Sequence, residues 1–225
     1  MEQRTSFVGL GRVAALLKRL QASFDTDMSM TLFLARHAAH GDLGKVLTGR
    51  GAGIRLSDQG RAQAEGLAKR LDREEIELVH SSPRERAMET SEIVARRLRV
   101  PIEIAPALDE IDFGEWTGRS FEQLAQDRRW TQWNGRRSEV SPPGGETMAE
   151  AVARAMIHVE KIGAEARRRV LCISHADVIR GIVADVLGLS LDNLLRFDID
   201  PASLSALVIG RREMRLTVLN ESCAG

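Results

Sequence analysis

A chain of 225 residues has room for one sizeable α/β domain or two small ones. Apolar content is 43% and 32 basic side chains balance 32 acidic ones, which excludes a binder that neutralises many nucleic-acid phosphates but not a small basic pocket. Two cysteines, Cys172 in an apolar run and Cys223 in the tail, make no disulfide framework and point to a reducing, cytoplasmic compartment, and no apolar stretch reaches the roughly 18 residues of a membrane span.

Residues 1–28 read as an extension to a folded unit at 29–225. Leu10, Val13, Leu17 and Leu20 recur at helical spacing with Arg12, Lys18 and Arg19 between them, which predicts a basic amphipathic helix. Such a helix packs on the body or docks weakly on a membrane surface. Arg12 breaks the apolar stretch and no small-residue cleavage site comes after it, so a secretory signal is not expected.

Residues 31–35 form an apolar run ending at Arg36-His37 and predict a buried strand. A glycine- and charge-rich loop fills 38–56, and Ser57 or Asp58 caps a helix aligning Ala64, Leu67, Ala68 and Leu71. The next strand is predicted at 77–80, and Ser81-Ser82-Pro83 turns it into a helix bearing Ala87, Thr90, Val94 and Leu98. A third strand is predicted at 101–105, then an irregular acidic stretch at 108–118. Helical spacing returns weakly at 121–130, a polar loop runs to Gly145, and Met148, Val152, Ala155, Val159 and Ile162 mark a long helix. Residues 170–174 are a further apolar strand ending at His175, and Val178, Ile182 and Val186 mark the helix after it. Strands at 203–209 and 214–219 flank Gly210-Arg211-Arg212-Glu213 as a hairpin.

Strands alternating with helices predict a sheet covered on both faces, in which ligands bind beyond the carboxyl ends of strands. Arg36-His37 ends one strand, residues 82–86 come directly after a second, and His175 ends a third. One sheet edge therefore collects His37, His175, Arg36 and Arg86, with an acidic loop around Glu110. Two arginines can clamp a phosphoryl group, a neutral imidazole can attack phosphorus, and a carboxyl group of raised pKa can protonate the leaving alkoxide. Phosphoryl transfer needs mainly that kind of charge stabilisation. A second reading of the same loop is a metal cluster of His37, His40 and Asp42. His80 and His158 read as structural. The run from Gly49 to Gly53 is no dinucleotide fingerprint, because no strand leads into it and no helix opens on it.

These residues also carry a resemblance. Leu34-Ala35-Arg36-His37 resembles the Arg-His motif of the histidine phosphatase superfamily, the phosphoglycerate-mutase-like family. The segment Leu56-Ser57-x-x-Gly60-x-x-Gln63-Ala64 is similar to the family's next segment. Ser82-x-x-x-Arg86-Ala87-x-x-Thr90 is similar to its second arginine motif, and Leu108-x-Glu110-x-x-x-Gly114-x-Trp116-x-Gly118 to its acid-bearing loop. Pro143-Gly144-Gly145-Glu146 and Ser174-His175-x-x-x-Ile179-Arg180 complete the set in the family's order.

The resemblance spans about 31–209 and implies a three-layer α/β/α fold with a mostly parallel central sheet. It implies that His37 is phosphorylated, that Arg36, Arg86 and His175 bind the phosphate, and that Glu110 is proton donor and then base. No metal or organic cofactor is implied. One departure is Ala38, where the family commonly has glycine. The motif spacing selects Arg86 over Arg84, which becomes a rim or surface charge, and Glu110 over Asp109, Asp112 and Glu115. Trp116 is left as either substrate-facing or core, Arg50 and Arg55 as solvated loop charges or substrate contacts, and Arg180 as a helix ion-pair residue.

The leading function is hydrolysis of a small phosphomonoester. A phosphoglycerate-type mutase is the alternative, but the mutases' usual substrate-binding segments are replaced here by Ala39-His40-Gly41-Asp42 and Ile111-Asp112-Phe113-Gly114. A regulatory module that keeps the fold without catalysis is opposed by the full set His37, Arg36, Arg86, Glu110 and His175. A phosphoprotein phosphatase is opposed by the 108–145 insert, which suggests a covered pocket. A homo-oligomer is left open.

Overall fold

The computed structural model describes residues 29–211 and 213–223. The extension at 1–28, with its predicted amphipathic helix, lies outside the described residues. In chain order the elements are β1 (Met30–Arg36), α1 (Asp58–Arg70), β2 (Leu78–Ser81), α2 (Glu85–Leu98), β3 (Ile102–Ile104), α3 (Phe121–Ala125), α4 (Arg128–Gly135), α5 (Met148–Gly163), β4 (Arg169–Ser174), α6 (Ala176–Leu187), β5 (Leu204–Ile209) and β6 (Met214–Glu221).

The strands form one mixed sheet in the order β3-β2-β4-β1-β5-β6. From β3 to β1 all pairs are parallel, whereas β5 runs antiparallel to both β1 and β6. The predicted terminal hairpin is therefore the antiparallel flank of an otherwise parallel sheet.

The continuous apolar run of β1 reflects burial on both faces. Side chains alternate across a strand. Phe33 and Ala35 join the core beneath α1 and α2, with Leu67, Ala68 and Val94. Leu32 and Leu34 join the opposite core, with Val159 and Ile162 of α5 and Ile179 and Ile182 of α6. A third core, holding Phe113, Trp116, Leu124 and Trp133 against Met148 and Val152, anchors the 108–145 insert to α5.

Capping fixes where helices start. Ser57 accepts a hydrogen bond from the Gly60 N–H at 3.1 Å, and Thr147 with Glu150 forms a capping box on α5. A Cβ on Gly60 would lie 1.9 Å from the Ala39 carbonyl oxygen, so only glycine lets α1 pack this closely on the loop after His37. The weak helix predicted at 121–130 is in fact two, α3 and α4. Asp127 divides them: its carboxylate accepts from the Arg129 N–H at 3.0 Å and starts a new helix, which extends into the predicted polar loop.

Candidate active site

His37 comes immediately after the last residue of β1, and its N–H donates to the Ser174 carbonyl at 2.9 Å, which ties it to the end of β4. Its Nδ1 lies 2.8 Å from the Ala38 carbonyl oxygen. A carbonyl only accepts, so Nδ1 carries the proton and Nε2 keeps a lone pair. The Nε of Arg86 donates to that Nε2 at 3.2 Å. His37 is 3% exposed. Burial first, then the charges of Arg86 and Arg36, hold its pKa well below 6.5. The imidazole is neutral and its free nitrogen points at a guanidinium, where an anion would sit.

Arg86 stands at the start of α2 and is fully buried. Its Nη2 donates to the Gly49 carbonyl at 2.8 Å and to His175 Nδ1 at 3.1 Å. His175 must therefore carry its proton on Nε2, which donates to the Ser82 hydroxyl at 2.7 Å. Ser82 Oγ lies in turn 3.5 Å from Asp109 Oδ1. Burial, Arg86 and His37 keep the His175 pKa well below 6.5. Arg36 donates to the Ile199 carbonyl at 2.7 Å. Arg36 Nε and Arg86 Nη1 are both buried with no hydrogen-bond partner among the described residues. Buried donors are normally satisfied. Two arginines with unmatched donors, beside an imidazole nitrogen that keeps its lone pair, can receive a tetrahedral anion.

Glu110 completes the group. Its carboxylate lies 3.6 Å from His175 Nδ1 and is 13% exposed. Burial first and Asp177 second push its pKa up to about 7, against the opposing pull of Arg86, the Ile111 N–H and Arg36. Near neutral pH it can hold a proton and release it. A cavity of about 410 Å³ opens over Arg36, His37, His40 and Glu110.

Two further arginines hold the acid loop. Arg50 Nε and Arg154 Nη2 both donate to the Glu110 carbonyl, at 2.7 and 3.2 Å. Glu146 grips both guanidiniums, accepting from Arg50 at 2.9 Å and from Arg154 at 2.7 and 3.0 Å. It also accepts from the Asp112 N–H at 3.4 Å. Glu146 is thus the hub that fixes the backbone carrying Glu110.

The sequence-predicted residues come together in one place: Arg36, His37 and Glu110 line the cavity, and the fully buried Arg86 and His175 lie next to them, Arg86 bonding both His37 and His175. Among the competing acids, Asp109 ion-pairs with Arg84 at 2.9 Å and accepts from the Glu110 N–H at 2.8 Å. Asp112 and Glu115 are 44% and 65% exposed in their side chains. Arg84 is not a rim charge: it joins Asp109 to the Arg50 carbonyl. Arg50 is neither a solvated charge nor a cavity-lining contact, whereas Arg55 is largely exposed and pairs with Glu89. Arg180 pairs with Asp177 at 3.2 Å, an i, i+3 helix pair. Trp116 belongs to the core. Ala38 is absent from the residues with positive φ, so its methyl group strains nothing. His40 lines the cavity, with its pKa lowered to about 4 by burial and Arg86. His37, His40 and Asp42 do not form a ligand set, since no cluster of three or more metal-ligating side chains exists among the described residues. The roles of Ser82 and Glu146 escaped sequence reasoning. Glu146 stood within a motif, but its partners lie on three other segments.

The sequence matches the profile of the histidine phosphatase superfamily (branch 1) over residues 32–222. The chain belongs to this superfamily. It is 27% identical over 202 residues to the adenosylcobalamin/α-ribazole phosphatase of Escherichia coli K12, covering 87% of this chain and 98% of that one. It is 29% identical over 178 residues to phosphoserine phosphatase 1 of Hydrogenobacter thermophilus, covering 75% and 81%. Among solved structures, a mycobacterial glucosyl-3-phosphoglycerate phosphatase in its native form matches with a TM-score of 0.77 at 25% identity, covering 86% of this chain and 100% of that one. The same phosphatase complexed with VO3 matches with a TM-score of 0.77 at 26% identity, again covering 86% and 100%. With these relatives, the chain is a phosphomonoester hydrolase of the histidine phosphatase type.

Proposed function

We propose that the enzyme hydrolyses a small phosphomonoester through a phosphohistidine on His37, without a metal ion. The observation that carries this reading is the lone pair of His37 Nε2 set among unmatched donors of two buried arginines. Nε2 attacks phosphorus, the bond from phosphorus to the ester oxygen breaks, and the departing alkoxide takes the proton of Glu110. Arg36 and Arg86 hold the equatorial oxygens as charge builds on them. A bound dianion raises the pKa of His175, whose Nδ1 then donates to an oxygen as well. In the second half, the Glu110 carboxylate takes a proton from water, the water oxygen attacks phosphorus, and the P–N bond breaks to return His37. The VO3 complex of the mycobacterial relative fits such a phosphoryl pocket in this fold. The absence of the mutases' usual substrate segments favours water as acceptor over a second substrate hydroxyl. We place the enzyme in a reducing, cytoplasmic compartment on its two free, buried cysteines.

Leaving-group dependence tests the assignment. Glu110→Gln should slow single-turnover phosphorylation by alkyl phosphates by about 10²- to 10⁴-fold, and by p-nitrophenyl phosphate much less, because p-nitrophenolate departs without a proton. Arg86→Ala should impair both substrates alike, since it removes charge stabilisation common to both transition states. Equal losses for alkyl and aryl substrates in Glu110→Gln would remove Glu110 from the donor role.

A further inference from the structure

The cavity of about 410 Å³ extends well beyond the space a phosphoryl group fills above His37. Away from Arg36 and His37, much of its wall is apolar. Leu43, Val46 and Leu47 contribute from the loop after the nucleophile, and Phe113, Phe121 and Trp130 from the insert. All but Phe113 remain partly exposed, and they share this one cavity. Soluble chains seldom gather that much partly exposed apolar surface in one concave place unless a ligand covers it.

The wall is also rigid. The Leu47 N–H donates to the Arg119 carbonyl at 2.9 Å, the Gly118 N–H to Leu47 at 2.8 Å, and the Phe121 N–H to Lys45 at 3.0 Å, which zips the two loops together. Trp130 stacks on the fully buried Trp133, with ring centroids 5.3 Å apart, and meets Trp116 edge-on at 5.3 Å. Its ring is therefore positioned by the core before any ligand arrives, and it loses little freedom on binding. The opposite side carries Arg137, Asp177 and Arg180: Asp177 lies 3.1 Å from Arg137 and 3.2 Å from Arg180, while Nε and Nη1 of the buried Arg137 have no hydrogen-bond partner among the described residues. That side is polar and keeps unmatched donors on Arg137 for a polar group of the ligand, whereas the aromatic side can only take apolar surface.

We infer that the alcohol carried by the substrate's phosphate is a bulky body with an apolar ring, which packs against Phe121 and Trp130. The inference rests on the phosphatase reading and narrows its substrate class. Among the relatives' named substrates it separates ring-bearing esters from short polar ones. A short polar alcohol would reach His37 but leave the aromatic wall wet, and would gain nothing from it. Apolar burial of this kind stabilises ground and transition states together, so its effect falls on KM.

Four alkyl phosphates test this without changing the nature of the leaving alkoxide: ethyl phosphate, O-phospho-L-serine, 2-phenylethyl phosphate and 2-(2-naphthyl)ethyl phosphate. The naphthylethyl ester should exceed ethyl phosphate in kcat/KM by about 10- to 100-fold, carried mostly by KM. Phe121→Ala and Trp130→Ala should each bring that ratio down towards about one, while Phe121→Leu and Trp130→Phe keep most of it. Because the ratio is internal to each preparation, a loss of folded protein does not alter it. A wild-type ratio near one, a preference for phosphoserine, or an unchanged ratio in both alanine variants would overturn the inference. If p-nitrophenyl phosphate is hydrolysed but no apolar preference emerges, only this inference fails. If no phosphate ester is hydrolysed, the phosphatase reading fails and takes the inference with it.

Discussion

Replacing Glu110 with glutamine should stabilise the protein in alkaline solution while it impairs catalysis. Burial, with the Asp177 carboxylate behind it, pushes the Glu110 carboxyl from its usual 4.5 up to about 7. In the unfolded chain the same group ionises near its usual value. Between those two pH values the folded protein holds a proton that the unfolded chain has released, so stability falls as pH rises and the loss is complete above about 7. At about 1.4 kcal/mol per tenfold change in the ionisation constant, the full loss is about 3 kcal/mol. A glutamine side chain has nearly the same shape and never ionises, so the variant escapes it. His37 and His175 work in the opposite sense. Their folded pKa values lie well below 6.5, so they weaken the fold as pH drops below 6.5. Both proteins share that effect, and it cancels in the difference between them.

Urea unfolding of wild type and Glu110→Gln at pH 5 and pH 8.5 isolates the contribution. The stability advantage of the variant should grow by about 2 kcal/mol between those values, the remainder having been lost by the wild type before pH 5. The proposed role of Glu110 as acid would make this a trade of fold stability for activity. An advantage that does not change with pH, or a variant less stable than wild type at pH 8.5, would refute the claim that burial strains this carboxylate.

Two further outcomes are expected of the same site. The kcat/KM profile for an alkyl phosphate should fall on the acid side as His37 gains a proton below 6.5, and on the basic side near 7 as Glu110 ionises. Glu110→Gln should lose the basic limb, and a wild-type profile flat through pH 7 would count against the assignment. Glu146→Gln should loosen the grip of Arg50 and Arg154 on the Glu110 carbonyl. We expect it to slow alkyl phosphates about tenfold or more in single turnover and p-nitrophenyl phosphate less, as loss of aim at the acid requires. Equal losses would reduce Glu146 to a purely structural role.

The features legible in the sequence obey local rules, and the rest depend on distant approach. The run from Leu32 to Ala35 reads as a strand because both of its faces are buried, and Arg36-His37 at its end then falls at the carboxyl edge where α/β sheets bind ligands. The helices bearing Leu67, Val94 and Val159 are legible because their apolar positions recur at helical spacing. The direction of β5 against β1 is not encoded in either strand alone; it emerges from pairing between segments some 170 residues apart, as in Leu34 opposite Ser205. Asp127 hid a helix boundary, because its cap competes with a continuous helical pattern that propensity alone would favour. Arg50 and Arg84 looked like loop charges. Their partners are carbonyl groups and the carboxylates of Asp109 and Glu146, brought near only by the folded insert. Spacing identified the groups proposed for the chemistry, but not the groups that hold them in place.

Trapping the phosphoenzyme tests His37 as nucleophile most directly. Wild-type enzyme is mixed for milliseconds with p-nitrophenyl phosphate, quenched in alkali, digested and mapped by mass spectrometry. A phosphoryl group that survives base and is lost in acid should be found on His37, should be absent from His37→Ala along with turnover, and should persist longer in Glu110→Gln, where water lacks its base. A label on any other residue, or hydrolysis by His37→Ala at a rate near that of wild type, would contradict the mechanism.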